Sequence, residues 1–134
     1  MRVLKGEELT TMYPILFEKV FGVRPDGHVP RTVIVDDKCE GFVSGYRIDT
    51  TTFYISWVGH IKGMLGVRRA FKEIEEYMVK IGVKYYVGRV HQFNTVTQRL
   101  MLGMGWYPRG AITAADGMYI EYYKELKDGI IRSN

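Results

Sequence analysis

The feature that most constrains the fold is an amphipathic segment that lies between two β-like segments. Over residues 67–81 apolar side chains recur at helical spacing and charged side chains fill the other positions, which predicts a helix with one buried face. Gly82 follows directly, where a left-handed residue ends many helices. β-Branched and aromatic residues dominate residues 51–59 and 84–90, which predicts a strand on each side. The sequence therefore predicts a strand, loop, helix and strand between residues 51 and 90.

The rest of the chain predicts both helices and antiparallel strands. We expect a helix over residues 7–21, with Pro14 starting or kinking a turn, and a short helix over residues 95–104 that Asn94 caps and Gly105 ends. Strands are expected at residues 31–35, 39–48, 106–108 and 118–123, and the first two precede residues 51–59 as a meander. This order of elements predicts a mixed α+β fold.

Composition limits the class of protein. A chain of 134 residues with 46% hydrophobic residues can bury one ordinary core, so we expect a single domain. We expect a cytoplasmic protein, because the chain has no apolar run that could span a bilayer and turns acidic where a signal peptide would stay apolar. Cys39 is the only cysteine and cannot form an internal disulfide, and no metal site is predicted. The net charge of +4 is spread along the chain, which suits an anionic ligand and makes nucleic acid an unlikely partner.

Two local patterns add a family resemblance to this order of elements. Asn94 is followed by Gly105 and Trp106 at the spacing found in the GNAT superfamily of acyl-coenzyme A dependent N-acyltransferases, although Thr97 and Met101 replace the usual Ala and Tyr. The loop at residues 62–68 resembles the phosphate loop of that family, with Gly63, Gly66 and Arg68 at its three motif positions, of which only the middle glycine matches the family pattern. The chain resembles the family over about residues 31–123. The resemblance implies a twisted, mixed and mostly antiparallel sheet flanked by helices.

The resemblance also implies how the chain is divided and where acetyl-coenzyme A binds. Residues 1–30 would form an N-terminal helical region, residues 31–126 the sheet and coenzyme-binding core, and residues 127–134 a tail that frays. A loop that leads into a helix offers free backbone N–H groups and the positive end of the helix dipole to a pyrophosphate. The strands on either side would hold the pantetheine arm. Trp57 could form a wall of an acceptor pocket or fill the core, and we expect the core because that is the commoner place for a tryptophan in a strand. The residues expected to contact the coenzyme are Trp57, Val58, Lys62, Gly63, Met64, Leu65, Gly66, Val67, Arg68, Arg69, Asn94 and Met101.

The chemistry that the resemblance implies is direct attack of an amine on the acyl thioester, with the oxyanion held by a backbone N–H near Val58. The predicted strand offers no carboxylate as a base, so His60 and His91 are the candidates, because imidazole titrates near neutral pH. The family's tyrosine protonates the leaving thiolate, but Met101 occupies its position and a thioether cannot donate a proton. Water or Tyr107 would then take this role.

The sequence leaves three functions open. The first is an N-acyltransferase, with acetyl as the favoured group, that binds an acyl-coenzyme A donor and an amine acceptor as a monomer or homodimer. The second is a related domain that has lost its chemistry and serves as a binding or structural module. The third is a nucleic-acid binder with stacked tyrosines, which pairs such as Tyr85 and Tyr86 disfavour because adjacent strand residues point to opposite faces.

Overall fold

The computed structural model describes residues 1–26 and 30–126 and has the predicted α+β architecture. The helices are α1 (Glu7–Phe21), α2 (Met64–Lys80) and α3 (Thr95–Gly103). The strands are β1 (Arg2–Val3), β2 (Thr32–Val35), β3 (Gly41–Arg47), β4 (Thr52–His60), β5 (Tyr85–His91), β6 (Tyr107–Ala114) and β7 (Gly117–Glu125). The predicted tail at residues 127–134 lies outside the described residues. None of the described helices is long and apolar enough to cross a membrane.

The elements differ most from the prediction at three places. Helix α2 begins at Met64 instead of residue 67, because its first two residues are apolar yet exposed and so lie outside the apolar periodicity. Strand β6 extends to Ala114, and all eight of its residues are exposed, so it has no alternation of buried and exposed positions to signal a strand. Strand β1 is two residues long and was not predicted.

The seven strands form one sheet in the order β1-β2-β3-β4-β5-β7-β6. Strands β4 and β5 are parallel and are joined by α2 as the crossover helix, and every other neighbouring pair is antiparallel. This confirms the mixed, mostly antiparallel sheet that the resemblance implies.

Helices cover the two faces of the sheet unequally. Helices α2 and α3 pack on one face over a core that includes Ile74, Tyr86 and Trp106. Helix α1 packs on the other face against β2 and β3 and reaches β4, where a Cβ on Gly59 would lie 2.4 Å from Val20. In the part of the chain that the structure describes, no helix covers β5, β7 and β6 on this second face, which we call the open face.

An irregularity in β4 creates an opening in the middle of the sheet. The register with β3 shifts so that Trp57 pairs with Ser44 and Ile55 with Gly45, which leaves Ser56 as the extra residue of a β-bulge. The parallel ladder to β5 ends at the pair Ile55 and Gly88. Beyond that pair β4 stays beside β3 while β5 stays beside β7, so the two central strands part.

Candidate functional site

The parting of β4 and β5 opens a cleft of about 640 Å³, which we call the central cleft. Side chains of α3 and the start of α2 line one end of it, and aromatic and apolar side chains of the open face line the other. The lining residues are Phe21, Tyr54, Ser56, Trp57, Val58, Val67, Arg89, Val90, His91, Asn94, Thr97, Leu100, Ile112, Ala114 and Tyr119. The cleft therefore connects the first turns of two helices to the open face.

A smaller apolar cavity of about 60 Å³ adjoins the central cleft on the side of α3. Ser56 and Arg89 line both spaces, while Met101 and Trp106 line only the smaller one. Met101 is buried, and a Cβ added to Gly88 would lie 3.4 Å from its methyl carbon. The Met101 side chain thus lies beside the point where the two strands part.

The start of α2 presents unpaired donors next to the cleft. The first backbone bond of the helix runs from the Val67 N–H to the Gly63 carbonyl, and no side chain caps the helix. The N–H groups of Met64, Leu65 and Gly66 therefore have no intrahelical partner. Gly63 has φ of 74°, a conformation that favours glycine and turns the chain from β4 into the helix.

The three cations predicted near this helix start lie in different places. Arg68 points across to α3, where a Cβ on Gly103 would lie 2.6 Å from its Nη2 atom. Lys62 and Arg69 instead line a separate cavity of about 280 Å³, and the Lys62 ammonium is 3.8 Å from the Glu40 carboxylate. Of the three, Arg68 lies on the side of α2 that faces α3.

The predicted residue Asn94 lies at the start of α3 and lines the cleft. Its Oδ1 accepts a hydrogen bond from the Thr97 N–H at 3.2 Å, so it caps the helix. Both helices that flank the cleft therefore begin beside it.

His60 does not line the cleft. It is buried behind the start of α2, where its Nδ1 accepts the Lys62 N–H at 3.0 Å and its Nε2 lies 3.6 Å from Asp36. Asp36, Glu40 and His60 bring potential metal ligand atoms within 4.8 Å of one another. Because Nδ1 uses its lone pair for the Lys62 N–H, the neutral ring carries its proton on Nε2, which then has no lone pair for a metal ion. This geometry suits a structural contact between α2 and the β2–β3 turn.

His91 lines the cleft, but both of its ring nitrogens are engaged. Nε2 is 2.9 Å from the Asp116 carbonyl and Nδ1 accepts the Phe93 N–H at 3.3 Å. The carbonyl accepts only from a protonated Nε2, so this tautomer has no free lone pair that faces the cleft. The ring ties the loop after β5 to the turn between β6 and β7.

Tyr107 lies on β6, outside the residues that line the cleft. It is half exposed and packs edge-on against Tyr123, with ring centroids 5.3 Å apart. Tyr123 in turn stacks on Tyr85, and Tyr46 packs against Tyr54. Tyr85 and Tyr123, one from each pair of adjacent tyrosines, therefore lie on the open face with the other three tyrosines. The opposite directions of the two side chains within each pair did not indicate this shared face.

The expectation that Trp57 lies in the core is wrong. Its side chain is 50% exposed and packs against Phe17 and Phe21 of α1 while it lines the cleft. The bulge at Ser56 shifts the alternation of β4, so Trp57 faces α1 where regular alternation would have turned it to the other side.

Sequence reasoning also missed a charged cluster on the open face. Glu121 of β7 receives a hydrogen bond from Arg89 Nε at 3.3 Å and another from Arg109 Nη2 at 3.1 Å. Burial raises the pKa of Glu121, but these two hydrogen bonds outweigh it and hold the pKa below its ordinary value. The Arg89 guanidinium lies over Tyr54, 5.7 Å from the ring centroid. A charge pattern in three separate strands has no signal in the local sequence.

No protein-family model matches the chain, and no curated protein is similar to it in sequence. Solved structures match it in shape. The ribosomal-protein-S18-alanine N-acetyltransferase of Escherichia coli aligns with a TM-score of 0.66 at 11% identity over 96% of this chain and 95% of that one. Ard1 of Thermoplasma volcanium aligns with a TM-score of 0.60 at 12% identity over 66% of this chain and 64% of that one.

A third solved structure, of Salmonella typhimurium yncA with its cofactor acetyl-CoA, aligns with a TM-score of 0.54 at 14% identity over 66% of this chain and 59% of that one. This chain thus spans less than two thirds of two of these three proteins. With the sheet order and the parted central strands, these likenesses show that the chain has the fold of the GNAT N-acetyltransferases.

Proposed function

We propose that the protein transfers an acyl group, with acetyl as the favoured group, from coenzyme A to an amine acceptor. The observation that carries this proposal is the cleft between β4 and β5, which begins where their ladder ends at Ile55 and Gly88 and lies beside the uncapped start of α2. The likeness to a structure that contains acetyl-CoA supports the choice of donor.

The residues at the start of α2 fit a diphosphate. Three backbone N–H groups without intrahelical partners and the positive end of the helix dipole favour an anion. The space beside Gly63 is open, because a Cβ there would meet nothing within 4 Å, and glycine has no side chain to fill it. Arg68 adds a positive charge on the side of α3. The apolar side chains of Val58, Val67 and Leu100 would contact the rest of the coenzyme.

Bound acetyl-coenzyme A would supply an activated acyl group in the form of a thioester. Past Ile55 the edge of β4 has no ladder to β5, so backbone N–H groups near Val58 are free to donate to an acyl oxygen. Trp57 and Phe21 form an apolar wall of this part of the cleft. The acceptor would enter from the open face.

Proton transfer in this cleft relies on hydroxyl groups and water. Burial raises the pKa of Tyr54, so its hydroxyl stays protonated at neutral pH and can donate a proton. A thiol has a pKa of about 8.5, so the departing thiolate needs little assistance. The geometry of His91 favours a positioning role in the β6–β7 turn over that of a base.

A second candidate function is coenzyme binding without turnover. The observation that favours it is Met101, which lies beside the point where the strands part and cannot donate a proton. Both candidates require coenzyme binding, and only the first requires consumption of acetyl-coenzyme A.

The first test is thermal unfolding with and without acetyl-coenzyme A, with ATP as an anionic control. Ligand at about 100 times its dissociation constant adds about 2.7 kcal/mol to stability, which raises the midpoint by several degrees. Arg68→Gln should reduce the shift, whereas Arg24→Gln should not, because Arg24 pairs with Glu18 at the end of α1. A protein that shows no shift with millimolar acetyl-coenzyme A does not have the proposed function. A shift without thiol release for any amine would favour the second candidate.

A further inference from the structure

Two arginines of the open face share one carboxylate. Arg89 and Arg109 both pair with Glu121, so the three charges sum to one net positive charge. Arg109 also lies 4.5 Å from the centroid of the Tyr123 ring. A guanidinium that shares one carboxylate with a second guanidinium still attracts a further anion.

Arg89 is the member of this cluster that reaches the central cleft. It follows Gly88, the last β5 residue paired with β4, and its side chain lines the cleft. Only its Nε donates to Glu121, and its two terminal nitrogens have no hydrogen-bond partner among the described residues. The side chain is 43% exposed. It therefore has a planar pair of donor groups available where the strands part.

The described residues that line the cleft include no carboxylate. The nearby carboxylates already accept hydrogen bonds. Asp116 accepts from the Tyr119 hydroxyl at 2.7 Å and Glu121 from both arginines. Asp49, which lines a neighbouring cavity with Arg89, accepts from the Thr51 N–H at 2.9 Å. A polycationic acceptor would find no free counter-charge here and would face Arg89. An acceptor with an anionic group would find Arg89 unsatisfied.

We infer that the acceptor is a small amine that also carries an anionic group, a carboxylate or a phosphate, which binds Arg89 with the amine a few bonds away in the central cleft. This inference rests on the proposed acyl transfer for the role of the amine, but the anion site follows from the charges alone. Trp57, Phe21 and Ile112 give the cleft an apolar wall for the rest of such a molecule.

The test measures binding of acyl-amine products, which needs neither coenzyme nor turnover. N-Acetyl-L-phenylalanine and its uncharged amide are titrated into the wild-type protein and followed by NMR chemical shifts. The acid should bind about tenfold more tightly than the amide, because a charge-assisted pair adds more than a neutral hydrogen bond. In Arg89→Gln this preference should fall to less than about threefold. N-Acetyl-O-phosphoethanolamine is the third probe, and tighter binding of it than of the acid would make the anionic group a phosphate.

Arg109→Gln is the matched control. It also removes one of the two partners of Glu121, but Arg109 does not line the cleft, so the preference for the acid should persist. A loss of preference in both variants would mean that the ion pairs only maintain the fold. Equal binding of acid and amide to the wild type, or no binding of either anionic probe, would overturn the inference. Failure of the coenzyme shift with a retained acid preference would reject acyl transfer and leave the anion site intact.

Discussion

Gly66 lies against the His60 ring, which leaves no room for a side chain at this position of α2. A Cβ on Gly66 would lie 2.2 Å from His60 Nδ1, 2.5 Å from its Cγ and 2.8 Å from its Cε1. The ring has little room to retreat, because it is buried, accepts the Lys62 N–H and faces Asp36. Gly66→Ala should therefore displace either the ring or the first turn of α2.

The size and the sign of the effect depend on whether His60 is present. Forcing an extra methyl group into a packed site costs about 1–3 kcal/mol. In a His60→Ala background the obstacle is gone, and Ala at a helical position is favoured over Gly by up to about 1 kcal/mol. Gly66→Ala should thus destabilise the wild type and leave the His60→Ala variant unchanged or more stable. The two substitutions should be coupled by about 2 kcal/mol.

Chemical unfolding of the four proteins, followed by circular dichroism, measures this coupling. Gly110→Ala is the control for a Gly-to-Ala exchange without a contact, since a Cβ there meets nothing within 4 Å, and it should change stability by less than about 0.5 kcal/mol. An equal cost of Gly66→Ala in both backgrounds would refute the reasoning. Such a result would mean that the start of α2 does not rest on the His60 ring.

Three further predictions follow from the cleft and the open face. Met101→Tyr should raise thiol release from acetyl-coenzyme A by up to ~10²-fold, because Met101 borders the cavity of about 60 Å³ beside the cleft and a tyrosine hydroxyl there can protonate the departing thiolate; Met101→Phe is the control that lacks the hydroxyl. Glu121 has a lowered pKa, so the stability it contributes is complete above its ordinary pKa of 4.5 and is lost as pH falls through the lower folded value. In a plot of unfolding free energy against pH, Glu121→Gln should therefore flatten the acid side and leave the curve above pH 7 parallel to that of the wild type. The inflection in the pH dependence of kcat should reflect the pKa of the acceptor amine and should move to higher pH in Arg89→Gln. An inflection at the same pH for acceptors of different basicity would show that another group titrates.

The order of elements could be predicted because it depends on local patterns. The bounds of α1 were predicted as observed, and α3 differs by one residue at its end, because capping residues and apolar spacing act within a few residues of each other. Strand β6 was predicted too short because its eight exposed residues carry no burial pattern. Its partner β7 defines it through the backbone ladder instead.

The candidate site was less predictable because it depends on side-chain direction and on contacts between distant strands. The bulge at Ser56 reverses the alternation of β4, so no count of residues along the strand places Trp57 correctly. The titration range of imidazole makes His60 and His91 candidate bases, but their rings are engaged by backbone groups that a sequence pattern does not specify. Arg89 and Glu121 are opposite each other only because β5 pairs with β7 in this register.

Arg89 also offers a physical reason why a cleft without a free base can serve an amine. In the free acceptor the nearby anionic group stabilises the ammonium form of the amine. When that group pairs with the Arg89 guanidinium this stabilisation is lost, so the pKa of the bound amine is lower than that of the free one. Selection of an anionic acceptor and release of the proton from its amine would then depend on one side chain, placed by the residue that follows the last pair of the β4–β5 ladder. A carboxylate base in the same place would weaken the first effect by neutralising Arg89, which is consistent with a cleft whose described lining residues include none.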